Sequence, residues 1–271
     1  MFRTLAYGAS ADHVGDLYLP DPGRAAGSGP GHAPVICLLH GGFWRLPYGR
    51  DHIAPIAADL ASHGFAVWNL EYRRVGAAGG GWPGTFEDIG AGIDHLASLT
   101  ADGAPLDLGR VIAVGHSAGG HLALWCAARR RGRWQPRRVT VAAAIGLAAV
   151  SNLGLAYGLG CGNGAVGNFM GGSPLEAAAR YQIGSPSEML PLGIRQLLIH
   201  GTHDEDVPIE LSRRYAAAAR AAGDDIHFIE LDAATHMDFV DPLSAAHAAL
   251  CDWLQGELEV DGDAALGIPR V

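Results

Sequence analysis

A serine at the centre of a glycine-rich pentapeptide is the strongest nucleophile candidate in the chain. Gly115, Ser117 and Gly119 form the pattern G-x-S-x-G, which follows the apolar run VIAV and precedes the helix-like segment GHLALWCAARR. A serine on such a strand-to-helix turn adopts strained backbone angles, and side chains at the flanking glycines would clash. The turn also directs the N–H of Ala118 and the positive end of the helix towards a developing oxyanion. The pattern therefore predicts Ser117 as a nucleophile rather than as part of an ordinary helix start.

A serine hydroxyl becomes nucleophilic only when a base removes its proton and an acid orients that base. The segment HGTHDEDVP supplies Asp204 and Asp206 after one apolar run, and LDAATHMDF supplies His236 after the last one. The order serine, acid, histidine is typical of a nucleophile carried by a parallel α/β sheet. By contrast, His227 falls within a predicted strand and His247 within a predicted helix, which favours packing or surface positions for both. We therefore predict His236 as the base.

A second glycine-rich loop, HGGFW, follows the apolar run that begins at residue 35. Paired glycines allow a backbone to approach a substrate closely, so the N–H groups of Gly42 and Phe43 are predicted to join that of Ala118 in an oxyanion hole. His40 is expected to anchor this loop. The predicted substrate pocket is largely apolar and includes Trp44, His116 and Phe169.

The elements that must position these residues alternate along the chain. Apolar runs that end at turn residues are predicted as strands, and they cover 35–42, 65–73, 111–117, 139–147, 196–201 and 226–233. Helical spacing predicts helices after the serine turn and over 85–101, 212–223 and 244–258, with Thr85 and Asp88 resembling a capping box. This order predicts an α/β fold with a mostly parallel, doubly wound sheet and helices on both faces.

Three segments depart from the alternation. Residues 12–20 are predicted as an antiparallel edge strand, and 21–34, rich in proline and glycine, as a flexible loop. Residues 151–193 are glycine-rich and irregular, which favours a cover over the substrate pocket rather than a separate domain. We therefore expect one domain over residues 1–271.

Composition excludes several classes of function. The 271 residues carry a formal net charge of −9, which disfavours a nucleic-acid partner. All basic residues other than histidine are arginines, which excludes Schiff-base lysine chemistry and a P-loop lysine. The four cysteines lack metal-ligand spacing, the start of the chain lacks a signal pattern, and the longest apolar run, 139–150, is too short to span a bilayer. These features predict a cytoplasmic protein with no membrane span, whereas the oligomeric state is left open.

Taken together, the motifs resemble those of the α/β-hydrolases. The segments HGGFW, EYRR, GWPGTFEDI, GHSAGGHLALW, HGTHDEDVP and ATHMDF occur in that order over residues 12–255. The closer resemblance is to the acetyl-esterase and hormone-sensitive-lipase-like branch, including kynurenine formamidases with an HGG-aromatic-Trp loop. It implies Ser117 as nucleophile, His236 as general base and, from the pattern HGxxDxxVP, Asp204 rather than Asp206 as the acid. The oxyanion loop reads HGGF, whereas many lipases of this branch have HGGG.

The leading hypothesis is a serine hydrolase that cleaves a small ester or aryl formamide through an acyl-enzyme, with a small acyl substrate and no metal or organic cofactor. A prolyl-oligopeptidase-like peptidase and a non-catalytic ligand-binding α/β-hydrolase are the alternatives. A metal-dependent hydrolase would use His200, His203, Asp204 and Asp206. The segment GNGAVG, 162–167, matches a dinucleotide-binding pattern but follows no predicted strand.

Overall fold

The computed structural model describes residues 2–21, 23, 32–129 and 138–265, with side chains to residue 256 in the last helix. Within these residues one sheet has the strand order β1-β2-β4-β3-β5-β6-β7-β8, and strands β3 to β8 run parallel. The strands are β1 (Phe2–Ala6), β2 (Val14–Tyr18), β3 (Ala33–Leu39), β4 (Ala66–Leu70), β5 (Leu106–His116), β6 (Ala143–Leu147), β7 (Arg195–Gly201) and β8 (Ile226–Leu231). The mostly parallel α/β sheet is confirmed, and each of the six apolar runs contains a strand.

Helices cover both faces of the sheet. They are α1 (Ala54–Ser62), α2 (Gly84–Asp94), α3 (Leu96–Ala101), α4 (Ala118–Ala128), α5 (Leu153–Gly158), α6 (Ala165–Met170), α7 (Ala178–Gly184), α8 (Glu210–Ala221) and α9 (Ala245–Ala265). Helices α1 and α9 share one apolar cluster, and α2, α3, α4 and α8 contribute to the other. Strand β3 shows why both faces are covered, because Val35 and Cys37 belong to one cluster while Ile36 and Leu38 belong to the other. None of the helices in the described ranges is both long and apolar enough to cross a bilayer.

The predicted edge strand is not at the edge. Strand β2 pairs antiparallel with β4 on one side and with β1 on the other, where Phe2 lies opposite Tyr18. The sequence FRTLA was not predicted as a strand, and most of its residues are exposed, so it lacks the apolar pattern of the inner strands. The edge strand on this side of the sheet is therefore β1.

Two other local predictions need correction. Thr85 does not cap α2, because the helix begins at Gly84 and the Thr85 hydroxyl donates to Arg73 O. Asp88 instead accepts hydrogen bonds from Arg73. The predicted loop 21–34 falls mainly on residues outside the described ranges, and its last two residues already belong to β3.

The predicted cover, 151–193, lies between β6 and β7 and contains α5, α6, α7 and a short 3-10 helix, Pro186–Met189. Its glycine-rich segment 162–167 follows α5 and runs into α6, which is not the strand-to-helix context of a dinucleotide site.

Candidate active site

Ser117 occupies the turn between β5 and α4. Its backbone has φ 57° and ψ −118°, a combination that residues other than glycine rarely adopt. The turn is held by two backbone hydrogen bonds, from Ser117 N to Leu147 O at 2.8 Å and from Val150 N to Ser117 O at 3.3 Å. Ala118 is the first residue of α4, so its N–H has no acceptor within the helix. The strained turn expected from G-x-S-x-G is present.

The glycines around this turn allow three backbone segments to meet. A Cβ at Gly115 would lie 2.1 Å from Gly119 O, and one at Gly119 would lie 2.1 Å from Leu39 O. Gly120 packs against Ala149 with similarly little room, since an added Cβ would approach the Ala149 Cβ to 2.7 Å. Side chains at these positions would therefore push the turn away from β3 and from the segment after β6.

Asp204 and His236 form a direct pair at the carboxyl ends of β7 and β8. His236 Nδ1 donates to Asp204 Oδ2 at 2.7 Å, which leaves Nε2 as the atom able to accept a proton. Asp206 is exposed, and its backbone N–H donates to Asp204 Oδ1 at 3.0 Å. The structure thus brings Asp204, and not Asp206, to the histidine.

Every polar contact of the Asp204 carboxylate comes from a donor. Oδ1 accepts the N–H groups of Asp206 and Val207, while Oδ2 accepts His236 Nδ1 and lies 3.2 Å from His200 Nε2. Burial alone would raise the pKa of this carboxyl. The hydrogen bonds from His200 and His236, the charge of His236 and the Val207 amide outweigh burial and hold the pKa well below its usual value. Asp204 is therefore ionised at neutral pH.

His200 is a residue whose contribution the sequence did not reveal. It is fully buried, and Nε2 also lies 2.9 Å from Val207 O, so this nitrogen faces two acceptors and carries the proton. Nδ1 lies 2.7 Å from the Ser212 hydroxyl on α8. These contacts connect α8 to the proposed acid. Only the HG dipeptide at the end of an apolar run marks this position in the sequence.

The turn that carries His236 is held at two points. His236 begins a 3-10 helix, His236–Val240, with a capping box in which Asp238 Oδ2 accepts Thr235 N at 2.6 Å. From the end of β5, His116 Nε2 donates to His236 O at 3.0 Å, and the two rings lie 4.5 Å apart. His116 is fully buried, and burial together with the nearby His236 lowers its pKa well below the ordinary value. It therefore supports the base as a neutral ring.

The loop after β3 lies against the nucleophile turn. A Cβ at Gly41 would lie 3.1 Å from the Ser117 Cβ, which shows how closely the two backbones approach. The next three residues, Gly42, Phe43 and Trp44, all have positive φ, of 104°, 54° and 55°. Because consecutive residues of this loop have left-handed backbone angles, their N–H groups point in directions that helices and strands do not provide. His40, at the start of the loop, is buried and bonded to Gly41 O at 2.7 Å and to Glu71 Oε1 at 2.8 Å.

Trp44 connects this loop to the helix that follows the nucleophile. Its indole N–H donates to Ala118 O at 3.1 Å and to His121 Nδ1 at 3.2 Å. His121 in turn donates from Nε2 to Gly184 O at 2.8 Å, at the end of α7. Burial lowers the pKa of His121 to about 4 in spite of this last bond, so the ring is neutral and can accept at Nδ1. The loop after β3, helix α4 and the insertion 151–193 thus meet at one histidine.

The three residues predicted to line a pocket lie in the interior instead. Trp44, His116 and Phe169 are each at most 1% exposed. Phe169 stacks on Trp44 with ring centroids 4.6 Å apart, so an aromatic contact joins the insertion to the loop after β3. Phe43 is the half-buried aromatic of the loop, and Arg45 lies over its ring at 5.1 Å.

An open cavity lies beside His236, the proposed base. It has a volume of about 700 Å³ and is bounded by the loops 202–206 and 235–237, so Asp204 and His236 both contribute to its wall. Glu205 and Asp206 are exposed at this edge, which gives the opening a polar and acidic character.

The described contacts include no hydrogen bond between the Ser117 hydroxyl and His236. In ligand-free enzymes this bond is commonly long and tightens when substrate binds. The structure does not support the metal-dependent alternative, because His203 and Asp206 are exposed whereas His200 is fully buried against Asp204. Among the described residues, the group of potential metal ligands whose donor atoms lie close together is elsewhere in the fold.

The family model BD-FAE matches residues 16–218. A probable isoprenylcysteine alpha-carbonyl methylesterase of Arabidopsis thaliana is 24% identical over 97% of this chain and 64% of its own length. A related methylesterase of rice, Oryza sativa subsp. japonica, is 25% identical over 93% of this chain and 62% of its own. The chain thus spans about three fifths of the length of these curated relatives.

Solved structures agree with the fold at lower identity. Esterase B from Lactobacillus rhamnosis, bound to an inhibitor, superposes with a TM-score of 0.81 at 19% identity, over 98% of this chain and 90% of that one. A truncated carbohydrate esterase from gut microbiota superposes with a TM-score of 0.76 at 20% identity, over 96% of both chains. These likenesses establish the α/β-hydrolase fold.

Proposed function

The chain belongs to the BD-FAE family, and from this premise we propose that it is a serine esterase that cleaves small carboxylic esters through an acyl-enzyme. Ser117 is the proposed nucleophile, His236 the general base and Asp204 the acid that orients it. The observation that carries the proposal is the bond of 2.7 Å between His236 Nδ1 and the ionised Asp204. His236 also contacts His116, the residue that precedes the serine of the strained turn. The similarity to probable isoprenylcysteine alpha-carbonyl methylesterases supports the same reaction type.

The reaction begins when His236 Nε2 removes the proton from the Ser117 hydroxyl as the oxygen attacks the ester carbonyl carbon. Negative charge then develops on the carbonyl oxygen, and the N–H groups of Ala118, Gly42 and Phe43 are proposed to stabilise it. Asp204 stabilises the imidazolium that forms and keeps its orientation.

Collapse of the tetrahedral intermediate completes the first half of the reaction. His236 gives its proton to the leaving alkoxide oxygen, so the alcohol departs and the acyl group stays on Ser117. Water then attacks the acyl-enzyme with His236 again as base, and the acid is released. No step uses a metal or an organic cofactor, and we propose a small acyl compound as the partner of this site.

An aryl formamide is the second substrate class that we propose. It is favoured by Phe43, a half-buried aromatic ring within the proposed oxyanion loop that could pack against an aryl group. Formamide cleavage would use the same residues, with His236 protonating an aniline nitrogen instead of an alkoxide.

Covalent labelling and a substrate panel test these proposals. A fluorophosphonate should modify one residue, Ser117, and an unmodified protein would favour a ligand-binding role without catalysis. Short and long acyl p-nitrophenyl esters, N-formylkynurenine and aminoacyl amides should then be compared by kcat/KM. The esters should give the highest kcat/KM, whereas a higher kcat/KM for the aminoacyl amides would identify a peptidase.

A further inference from the structure

Four potential metal ligands meet where α1 packs against α9. Asp59 and His63 are one helical turn apart at the end of α1, and His247 and Cys251 are one turn apart near the start of α9. Residues at i and i+4 project from the same face of a helix, so each helix directs a pair of donors towards the other. The helices are held together beneath the donors by one apolar cluster, to which Ile56, Leu60, Leu250 and Leu254 belong.

The donor atoms are already close together. His247 Nε2 lies 2.6 Å from Asp59 Oδ2, and Cys251 Sγ lies 3.4 Å from the same nitrogen. These three atoms all lie within 4.8 Å of one another. Ligands bound tetrahedrally at 2.0–2.3 Å are separated by about 3.3–3.8 Å, so small side-chain rotations would bring the three to ligand distances.

His63 lies beside this group of three and is a candidate fourth ligand. Its Nδ1 lies 3.2 Å from Asp59 Oδ2, the oxygen that contacts His247. The side chains of His247 and Cys251 are buried, whereas those of Asp59 and His63 are about one third exposed. A cation could therefore enter from solvent on the α1 side and be held against the buried α9 side. The polar contacts of the His247 ring all lie at Nε2, which faces the cluster.

We propose that Asp59, His247 and Cys251, with His63 as fourth ligand, bind one divalent cation of the zinc type. A thiolate and imidazoles select zinc and its late first-row neighbours, whereas magnesium and calcium prefer oxygen ligands alone. When the cation binds, the proton of each imidazole moves to the ring nitrogen that does not bind the metal, which is Nδ1 in His247 and Nε2 in His63. Cys251 releases its proton to solvent and coordinates as a thiolate. The cation would cross-link α9 to α1, and α9 follows the turn that carries His236. The site shares no residue with the proposed triad, so it stands independently of the esterase proposal.

Cobalt titration of the purified full chain tests the site, because tetrahedral Co²⁺ reports its ligands by colour. After chelator treatment, addition of Co²⁺ should give visible ligand-field bands and a near-ultraviolet thiolate-to-cobalt band that saturate at one ion per chain. Zn²⁺ should displace both. The absence of these bands in a protein with native circular dichroism would overturn the proposal and leave the cluster as a hydrogen-bonded link between helices.

Variants assign the ligands. Cys251→Ser should remove the thiolate band, whereas Cys161→Ser, a substitution outside the cluster, should keep it. Asp59→Asn retains a side chain able to bond His247 at a solvent-exposed position, so the fold should survive while Co²⁺ affinity falls by more than about 100-fold. A band that persists in Cys251→Ser, or an unchanged affinity in Asp59→Asn, would contradict the assignment.

Discussion

His200 Nε2 lies 3.2 Å from the Asp204 oxygen that also accepts the hydrogen bond of His236. The acid therefore faces one histidine on the solvent side and a second, fully buried histidine behind it. Ser212 fixes the buried ring through Nδ1 at 2.7 Å. This arrangement makes His200 a positioning residue for the proposed acid rather than a group that contacts substrate.

Loss of the His200 hydrogen bond should weaken catalysis without weakening substrate binding. We expect His200→Leu to lower kcat by about 10- to 100-fold, since a hydrogen bond to a charged group contributes about 1.5–3 kcal/mol, while KM stays nearly constant. Because His200 stabilises the ionised form of Asp204, its removal should raise the pKa of that carboxyl. His200→Gln retains a donor and should restore most of the activity. Equal losses in both variants would argue for a purely structural role.

Two substitutions of Ser117 should distinguish the proposed catalytic role of its hydroxyl from the strain of its backbone. Ser117→Ala and Ser117→Gly should both lose at least about 10⁴-fold in kcat/KM for a short p-nitrophenyl ester. The glycine variant should be about 1 kcal/mol more stable than the alanine variant, because glycine adopts φ 57° and ψ −118° without steric cost. Urea unfolding measures the difference. Activity retained in either variant would refute the proposed nucleophile, and equal stabilities would show that the turn is not strained.

The glycine after the nucleophile should tolerate no side chain. We expect Gly119→Ala to reduce the free energy of unfolding by more than about 3 kcal/mol, since its Cβ would lie 2.1 Å from Leu39 O. Gly158→Ala is the matched control, because nothing lies within 4 Å of an added Cβ there and the residue ends α5. Its effect should stay within about 1 kcal/mol. Thermal unfolding of both variants is the measurement, and similar values would contradict the packing described.

Acid should destabilise the fold partly through His121. Burial lowers its pKa from 6.5 to about 4, so the unfolded chain binds this proton more readily than the folded one. The contribution is therefore present in full above pH 6.5 and is lost as the pH falls towards 4, by about 3 kcal/mol at roughly 1.4 kcal/mol per pKa unit. Urea unfolding between these pH values should show a smaller dependence in His121→Gln than in the unsubstituted protein. Identical slopes would show that His121 does not titrate there.

The inner sheet was predictable because its strands are buried on both faces and read as unbroken apolar runs. Strand β1 was missed for the opposite reason, since FRTLA is exposed and is defined by its pairing with β2. Thr85 and Asp88 have capping-box spacing, but contacts with Arg73, distant along the chain, determine their positions. Local patterns therefore failed where tertiary contacts decide the structure.

Residues of the candidate site were predictable where backbone geometry dictates the sequence. The glycines around Ser117 and the order of acid and histidine follow from the fold, and the structure places those residues after the ends of the parallel strands β5, β7 and β8. The apolar character of the HGGFW loop and of the predicted cover favours a pocket position for Trp44 and Phe169, yet the two rings stack on each other in the interior. Whether an aromatic ring is buried depends on the residues packed against it, and the sequence pattern does not show which residues those are.

The strained angles of Ser117 have a consequence for the history of such chains. Stability and hydrolysis make opposite demands on this position, because the residue that best suits the backbone has no hydroxyl. A related chain that is no longer selected for hydrolysis would gain stability if glycine replaced serine at this position. The proposed nucleophilic role of Ser117 would account for a serine at this turn despite its cost in stability.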